Sequence, residues 1–205
     1  MQLNVAVVTF DGFNELDAFG AYTIVNRCRK AGLSAWITTP TPEITSMNGV
    51  ELRGQRPLGF ATEADVVLIG SGVKTRQIVA DDAQLAAIPL EPERQLIGSQ
   101  CSGALILAKR GLLGSMPACT DVATRPTLEA CDVKVLDAPF HAEGRIATAG
   151  GCLASRYLGA WVILRTLGEQ ALREAFHTVA PVGEEDDTIA HVLAVVGAEG
   201  LAHAA

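Results

Sequence analysis

The sequence predicts an α/β fold in which a doubly wound, mostly parallel sheet is sandwiched between helices. Apolar, strand-like segments alternate with segments of helical spacing along the chain, and the connections between them are short. Residues 66–69 are four consecutive apolar residues, which is typical of a strand buried on both faces of a parallel sheet. No linker or internal repeat divides the 205 residues, so we expect one domain spanning residues 1–205.

The first half of the chain predicts strands and helices in alternation, with one small hairpin inserted. In order, the predicted elements are a strand at 3–9, a helix at 15–30, a strand at 34–39, a hairpin of 44–47 and 50–52, a strand at 66–69 and a short helix at 75–79. The hairpin is predicted because Asn48-Gly49, between its two strands, favours a type I′ turn.

The second half continues the alternation. In order, the predicted elements are a strand at 95–99, a helix at 102–110, short strands at 118–120, 133–136 and 145–148, a polar helix near 127–131 that lies before the second of these strands, a helix at 155–167 and a last helix at 188–196. The helix at 102–110 is apolar on most of its sides and is therefore expected to be largely buried.

Charge and hydropathy exclude several classes of protein. The chain has 16 basic and 23 acidic side chains, a formal charge of -7, and no basic stripe. Direct binding to a nucleic acid backbone is therefore not expected. No apolar run reaches about 18 residues, and the N-terminal segment lacks the basic flank of a signal peptide. We expect a soluble, cytoplasmic protein without a membrane span.

The five cysteines are Cys28, Cys101, Cys119, Cys131 and Cys152. Their number is odd, their spacing is wide and they form no CxxC pair, so the sequence predicts neither a disulfide framework nor a zinc site. The four histidines are also scattered, and no metal is predicted. In a reducing compartment most of these thiols are expected to be small buried apolar groups.

Ligands of an open α/β sheet bind beyond the carboxyl ends of its strands. Five segments follow the predicted strands at that edge, namely residues 11–17, 70–73, 100–103, 120–121 and 149–152. Cys101 stands out among them because Ser99 and Gly103, two residues before and after it, are small, as a sharp strand-to-helix elbow requires. From the elbow alone, two interpretations remain open: a nucleophile pointing into the cleft, or a small buried residue at a tight turn.

A helix N-terminus beside Cys101 favours its thiolate only modestly. The helix dipole contributes about 0.3–1 kcal/mol, and up to about 2 kcal/mol when partly buried, whereas one pKa unit takes about 1.4 kcal/mol. A fully ionised nucleophile therefore needs further donors. The backbone N–H of Ser102 and those of the loops at 70–73 and 150–151 are the candidates.

Two carboxylates, Glu15 and Asp17, follow the first predicted strand. Acidic side chains in the first turn commonly satisfy a helix N-terminus, and this account suffices for one of them. A carboxylate held against a thiol away from water instead has a raised pKa and can pass a proton to a reacting group.

Several motifs occur in a fixed order: a strand-end acid within the first twenty residues, Gly70-Ser71-Gly72, the Cys101 elbow, and Gly150-Gly151 before a long helix. Together they resemble the DJ-1/PfpI superfamily. Leu16-Asp17 and Cys101-Ser102-Gly103 are similar to the Leu-Asp pair and the Cys-Thr-Gly elbow of its isocyanide hydratase-like branch. The resemblance implies a flavodoxin-like, or class I glutamine amidotransferase-like, fold and a homodimer.

The resemblance also implies roles for individual residues. Cys101 is the expected nucleophile, Asp17 the acid/base partner and Ser102 the hydroxyl beside the sulfur. Backbone N–H groups of Gly72, Val73, Gly150 and Gly151 are expected to bind substrate and developing charge. The implied activity is a cofactor-independent hydration of an isocyanide, or a similar small substrate, to an N-formamide.

Two departures limit this inference. Protease-like members place a His directly after the nucleophile, where this chain has Ser102, so proteolysis is not expected. Many relatives have Thr-His after the nucleophile helix, where this chain has Thr120-Asp121. Asp121 is either a ligand-orienting group or a loop carboxylate. Two other functions remain open: a small-molecule sensor related to transcription regulators, and a redox or glyoxalase-like stress protein.

Overall fold

The computed structural model describes residues 2–200, without the side chains of residues 198–200. Within this range the strands are β1 (Leu3–Val8), β2 (Leu33–Thr39), β3 (Glu43–Thr45), β4 (Glu51–Arg53), β5 (Arg56–Pro57), β6 (Val66–Ile69), β7 (Leu96–Gln100), β8 (Phe140–Glu143) and β9 (Ile146–Ala149). The helices are α1 (Glu15–Val25), α2 (Thr75–Ala80), α3 (Asp82–Ala86), α4 (Ala104–Lys109), α5 (Arg125–Glu129), α6 (Ser155–Leu167), α7 (Glu169–His177) and α8 (Glu185–Gly200).

The main sheet has the strand order β5-β2-β1-β6-β7-β9-β8. Its strands pair in parallel except for β8, which is antiparallel to β9. The small hairpin of β3 and β4 forms a separate sheet. The chain runs outward from β1 to β2, then returns to β6 on the other side of β1, so the carboxyl ends of β1 and β6 lie at a topological switch point. The predicted doubly wound fold with a small hairpin is confirmed.

Helices cover both faces of the sheet and bury two apolar clusters. One cluster joins the sheet to α1, α6, α7 and α8, and it contains the fully buried Trp161. The other joins the sheet to α2, α3, α4 and α5. The apolar helix predicted at 102–110 is α4 with a preceding 3-10 helix at Cys101–Gly103, and its residues 104–107 are fully buried, as expected.

Some elements differ from the sequence prediction. The segments at 118–120 and 133–136 meet only in the isolated bridge between Ala118 and Val135, because neither runs far enough to build a ladder. Strand β8 was not predicted, since its sequence, FHAE, has no apolar run and it lies at the edge of the sheet. The extent of the domain over residues 1–205 stays a prediction.

The turn of the small hairpin is not type I′. A type I′ turn needs positive φ at both central residues, and although Gly49 has φ 88°, Asn48 is not among the non-glycine residues with positive φ. The N–H of Ser46 instead donates to the carbonyl of Val50 at 2.9 Å, which closes a longer loop.

Candidate active site

A pocket of about 290 Å³ lies at the carboxyl ends of β1, β6 and β7. Six of the eight predicted site residues line it, namely Asp17, Gly72, Val73, Cys101, Ser102 and Asp121. The strand ends therefore meet where the sequence predicted a ligand site, beside the switch point of the sheet.

Cys101 has the predicted elbow geometry. It directly follows β7, begins the 3-10 helix that leads into α4, and has φ 47°, a conformation that few residues other than glycine adopt. The turn is crowded, since a Cβ on Gly103 would lie 2.8 Å from the carbonyl oxygen of Ile69. The backbone is held by Thr120, whose hydroxyl donates to the carbonyl of Cys101 at 2.8 Å. The sulfur is buried in the pocket floor, and Cys101 is 3% exposed.

Asp17 is brought to this sulfur by the first turn of α1. Asn14 caps the helix by accepting the N–H of Leu16 at 3.1 Å, which fixes the turn. The Asp17 carboxyl is 2% exposed and accepts a hydrogen bond from the hydroxyl of Ser71. One of its oxygens lies within 4.8 Å of the Cys101 sulfur, and its Oδ1 is buried without a hydrogen-bond partner among the described residues. The geometry thus joins the two residues that the sequence singled out.

Burial raises the pKa of both members of this pair. For Asp17 the loss of solvent is the main cause, and it outweighs the interactions with Ser71 and Cys101 that favour the carboxylate. For Cys101 the loss of solvent again comes first, followed by the negative charge of Asp17, so its pKa lies well above the usual range of a thiol. Any effect of the helix N-terminus is therefore overridden by burial and by Asp17. The role of Asp17 as the acid/base partner of Cys101 stays a prediction.

Cys152 is a site residue that the sequence analysis did not select. It directly follows Gly151, and its sulfur lies within 4.8 Å of both the Cys101 sulfur and an Asp17 oxygen. The side-chain N–H of Asn14 donates to this sulfur at 3.2 Å. Burial, and then the charge of Asp17, raises the pKa of Cys152. Its position after β9, on the ligand-binding edge of the sheet, was the available signal.

The N–H groups predicted for the Gly72 loop already have acceptors within the protein. That of Gly72 donates to the hydroxyl of Thr75 at 3.1 Å, and that of Val73 donates to the carbonyl of Gly12 at 3.0 Å. The hydroxyl of Ser102 donates to the same Thr75 oxygen at 2.9 Å. These contacts fix the loop against the elbow and give both loop amides acceptors within the protein, and the roles of Gly72, Val73 and Ser102 at the site stay predictions.

Gly150 and Gly151 do not line this pocket. They border a neighbouring cavity, with Cys152 between the two. The N–H of Gly150 donates to Pro139 at 3.0 Å, and a Cβ at Gly150 would lie 2.3 Å from the carbonyl oxygen of Thr120. The carbonyl of Gly151 accepts from the side chain of Gln100 at 2.8 Å. Gly150 therefore allows close packing, and a role of Gly150 and Gly151 in substrate binding stays a prediction.

Asp121 lies at the pocket wall and also has a structural role. Its carboxylate accepts the N–H of Thr124 at 2.9 Å and thereby closes the turn before α5. Its negative charge adds to the effects that raise the pKa of Asp17. Both interpretations of Asp121, a pocket residue and a loop carboxylate, are compatible with this position.

Asp17, Cys101 and Cys152 together offer two sulfur atoms and one oxygen within 4.8 Å of one another. Sulfur and carboxylate donors suit a borderline-soft ion such as Zn²⁺. The expectation that the protein uses no metal stays a prediction.

Comparison with known proteins identifies the family. The family model described as DJ-1/PfpI matches residues 3–163, which is most of the chain. The chain belongs to the DJ-1/PfpI family. Comparison with curated proteins gives no match.

Solved structures of the family share this fold at low sequence identity. DJ-1 from Schizosaccharomyces pombe has a TM-score of 0.75 at 17% identity, over 87% of this chain and 100% of that chain. A THiJ/PfpI family protein from Pseudomonas syringae has a TM-score of 0.76 at 18% identity, over 98% and 90%. DJ-1beta from Drosophila melanogaster has a TM-score of 0.74 at 17% identity, over 87% and 98%. Across residues 2–200, no helix is both long and apolar enough to cross a bilayer.

Proposed function

We propose that this member of the DJ-1/PfpI family is a cofactor-independent cysteine hydratase, which converts an isocyanide or a similar small carbon–nitrogen substrate to an N-formamide. One observation carries the proposal: the buried carboxyl of Asp17 lies within 4.8 Å of the Cys101 sulfur in the lining of a pocket. Among the described residues that line this pocket, none is a histidine. The proton chemistry therefore falls to Asp17.

The nucleophile is generated inside the pair. When the Cys101 thiol passes its proton to the Asp17 carboxylate, a thiolate and a neutral carboxyl result. Because Asp17 is neutral once it holds this proton, the thiolate forms without the repulsion from the Asp17 charge that raises the pKa of Cys101. The side-chain N–H of Gln100 donates to the Cys101 sulfur at 3.4 Å and favours the thiolate.

The first chemical step adds the thiol across the isocyanide carbon. The sulfur of Cys101 forms a bond to the terminal carbon, and the proton held by Asp17 is delivered to that carbon. The product is a thioimidate, R–N=CH–S–Cys101, with no atom lost. Covalent catalysis of this kind divides one difficult addition into two easier ones.

The second step hydrolyses the thioimidate. Asp17, again a carboxylate, takes a proton from water as the oxygen adds to the carbon, and it delivers this proton to the nitrogen. As the carbon–sulfur bond breaks, Asp17 takes the proton of the new hydroxyl group and passes it to the departing sulfur. The amide R–NH–CHO leaves, and the thiol of Cys101 is restored. We assign the stabilisation of developing charge to the backbone N–H of Ser102, since N–H groups in the first turn of a helix lack intrahelical acceptors.

The pocket favours a small, uncharged substrate. Its volume of about 290 Å³ lies at the lower end of ligand pockets. Val73 and Met47 provide apolar surface at its mouth and are 59% and 46% exposed. A compact isocyanide, with an apolar substituent beside these two side chains, fits that lining.

The proposal includes a cytoplasmic homodimer. Leu16 and Leu153 border one groove between α1 and α6 and are 57% and 74% exposed. A second copy of the chain would remove this apolar surface from water. Light scattering is expected to report a dimer, and Leu153→Glu is expected to shift it toward the monomer. A wild-type monomer at micromolar concentration would remove this part of the proposal.

The test is turnover of an aryl isocyanide by the purified protein, with formation of the N-formamide followed by NMR. We expect Cys101→Ala to abolish turnover, and Cys131→Ala, a change of the same type outside the pocket lining, to retain it. Wild-type turnover no greater than that of Cys101→Ala would contradict the proposal. A ligand-induced thermal shift that survives Cys101→Ala, without turnover, would instead favour a small-molecule sensor.

A further inference from the structure

Cys101 and Cys152 are two free thiols whose sulfurs share one pocket. We propose that they form a reversible intramolecular disulfide when the protein meets a hydroperoxide, and that Asp17 transfers the proton of Cys152 to the hydroxyl group that leaves Cys101. The site is a modification site additional to the hydration chemistry. It depends only on the positions of these three side chains and does not require that the protein be a hydratase.

The placement of the two sulfurs carries the proposal. They lie within 4.8 Å of each other, against a bond length of about 2.05 Å in a disulfide. Each has its own hydrogen-bond donor, since Gln100 donates to Cys101 at 3.4 Å and Asn14 donates to Cys152 at 3.2 Å. A donor at each sulfur supports whichever thiol ionises, so both can take part in exchange.

The backbone around Cys152 allows its sulfur to move from the present separation to bonding distance of the Cys101 sulfur. Cys152 begins a 3-10 helix at Cys152–Ala154, and the next side chain, Leu153, is 74% exposed. Gly151 has φ 86° and no heavy atom within 4 Å of a notional Cβ, so the segment is not enclosed there. Gly150, in contrast, is packed against Thr120. Movement of residues 151–153 therefore leaves the sheet in place.

The chemistry balances with a hydroperoxide as the only added reactant. The Cys101 sulfur attacks the terminal peroxide oxygen, the O–O bond breaks, an alcohol leaves, and Cys101 becomes a sulfenic acid. The Cys152 sulfur then attacks the Cys101 sulfur, the S–O bond breaks, and water leaves. Asp17, with an oxygen within 4.8 Å of both sulfurs, takes the proton of Cys152 and delivers it to the departing hydroxyl. Two thiols are oxidised and one hydroperoxide is reduced.

Other cysteines of the chain provide matched controls. Cys131 has an intermediate exposure, like Cys152, but it lies in the turn after α5, where its sulfur donates to the carbonyl of Thr127 at 3.4 Å. Cys28 is buried and lies elsewhere, beside the carbonyl of Ala171. If exposure alone decided oxidation, Cys131 would react as readily as Cys152.

Tryptic mapping tests the proposal directly. Cleavage after Arg94, Lys109, Arg145 and Arg156 places Cys101 in peptide 95–109 and Cys152 in peptide 146–156, each with a single cysteine. The protein is treated with one equivalent of hydroperoxide in the presence of a chelator, alkylated and digested without reduction. We expect a linked pair of these two peptides that dithiothreitol separates, in the wild type and equally in Cys131→Ser.

The single-cysteine variants complete the test. The formation of a sulfinic acid consumes a second hydroperoxide, so Cys152→Ser is treated with an excess of hydroperoxide. In this variant the linked pair is lost and Cys101 proceeds to the sulfinic acid, which dithiothreitol does not reverse. Retention of a reversible Cys101 product in that variant would overturn the role of Cys152. The proposal also fails if wild-type Cys101 is oxidised without linkage to Cys152, or if oxidation is spread evenly over the five cysteines. None of these results depends on isocyanide turnover, so the two proposals fail separately.

Discussion

Glu15 and Asp17 lie two residues apart in the first turn of the same helix, yet their pKa values are shifted in opposite directions. The hydroxyl of Ser46 lowers the pKa of Glu15, whose side chain lies near the surface. Burial raises the pKa of Asp17. Successive side chains of a helix point about 100° apart, so Glu15 and Asp17 point in different directions. The carboxylate of Glu15 faces the hairpin loop, and that of Asp17 faces Cys101. Position in a first turn therefore does not define an acid's role, whereas the surface it faces does.

Each carboxylate also has a serine partner from another part of the chain. Glu15 accepts from Ser46 and from the side chain of Asn48 at 2.8 Å, which fastens the hairpin loop to α1. Asp17 accepts from Ser71, in the loop after β6, and has an oxygen within 4.8 Å of the Cys101 sulfur. The first pair holds two elements together, and the second fixes the carboxyl that we propose as the proton carrier beside the proposed nucleophile.

The largest expected effect separates the two acids by activity. Asp17→Asn keeps the shape of the side chain but cannot transfer a proton, and we expect kcat/KM for isocyanide hydration to fall by about 10²–10⁴. Glu15→Gln, the matched change, is expected to alter it by less than about threefold, because its effect is confined to the hairpin loop. Steady-state kinetics of both variants measure the difference. Equal losses would mean that Asp17 has no special role.

A smaller effect separates the acids by stability. The folded-state pKa of Asp17 is raised above its usual 3.8. The free energy of unfolding therefore falls as the pH rises from 3.8 through the folded-state pKa, because the buried carboxyl loses its proton over this range. We therefore expect Asp17→Asn to be more stable than the wild type near neutral pH, and the difference to vanish in acid. The folded-state pKa of Glu15 is lowered below its usual 4.5, so its contribution is present at neutral pH and lost as the pH falls.

For Glu15→Gln the same reasoning gives the opposite sign. The variant is expected to be less stable than the wild type at neutral pH by no more than about 1 kcal/mol, and to approach it in acid. Urea unfolding of both variants at several pH values measures these differences. Parallel curves of the same sign for the two variants would contradict the assignment.

The sequence predicted the fold, the Cys101 elbow and the pairing of Cys101 with Asp17. The fold and the elbow follow from local patterns, namely buried strands and small residues around a turn, whereas the choice of Asp17 follows from the resemblance to the DJ-1/PfpI superfamily. Local patterns alone left Glu15 and Asp17 equivalent, because their separation depends on where the loop of residues 46–50 packs. It also ranked Cys152 as a packed thiol, because its distance from Cys101 is set by the pairing of β7 with β9.

The predicted amide donors show a second limit of local patterns. Glycines after β6 and β9 indicate close approach of the backbone, but they do not indicate to what. At Gly72 and Gly150 the approaching groups belong to the protein itself, the Gly12 loop and Thr120. A sequence motif thus located the pocket while leaving the partners of each N–H undetermined.

The central claim is that Asp17 keeps its proton to a higher pH than an ordinary carboxyl does. Infrared difference titration tests this claim most directly. We predict a protonated-carboxyl band with a midpoint above pH 3.8, absent in Asp17→Asn, present in Glu15→Gln, and moved to still higher pH in Ser71→Ala, where a hydrogen bond that lowers the Asp17 pKa is lost. A midpoint at or below pH 3.8, or a band unchanged in Asp17→Asn, would contradict the account.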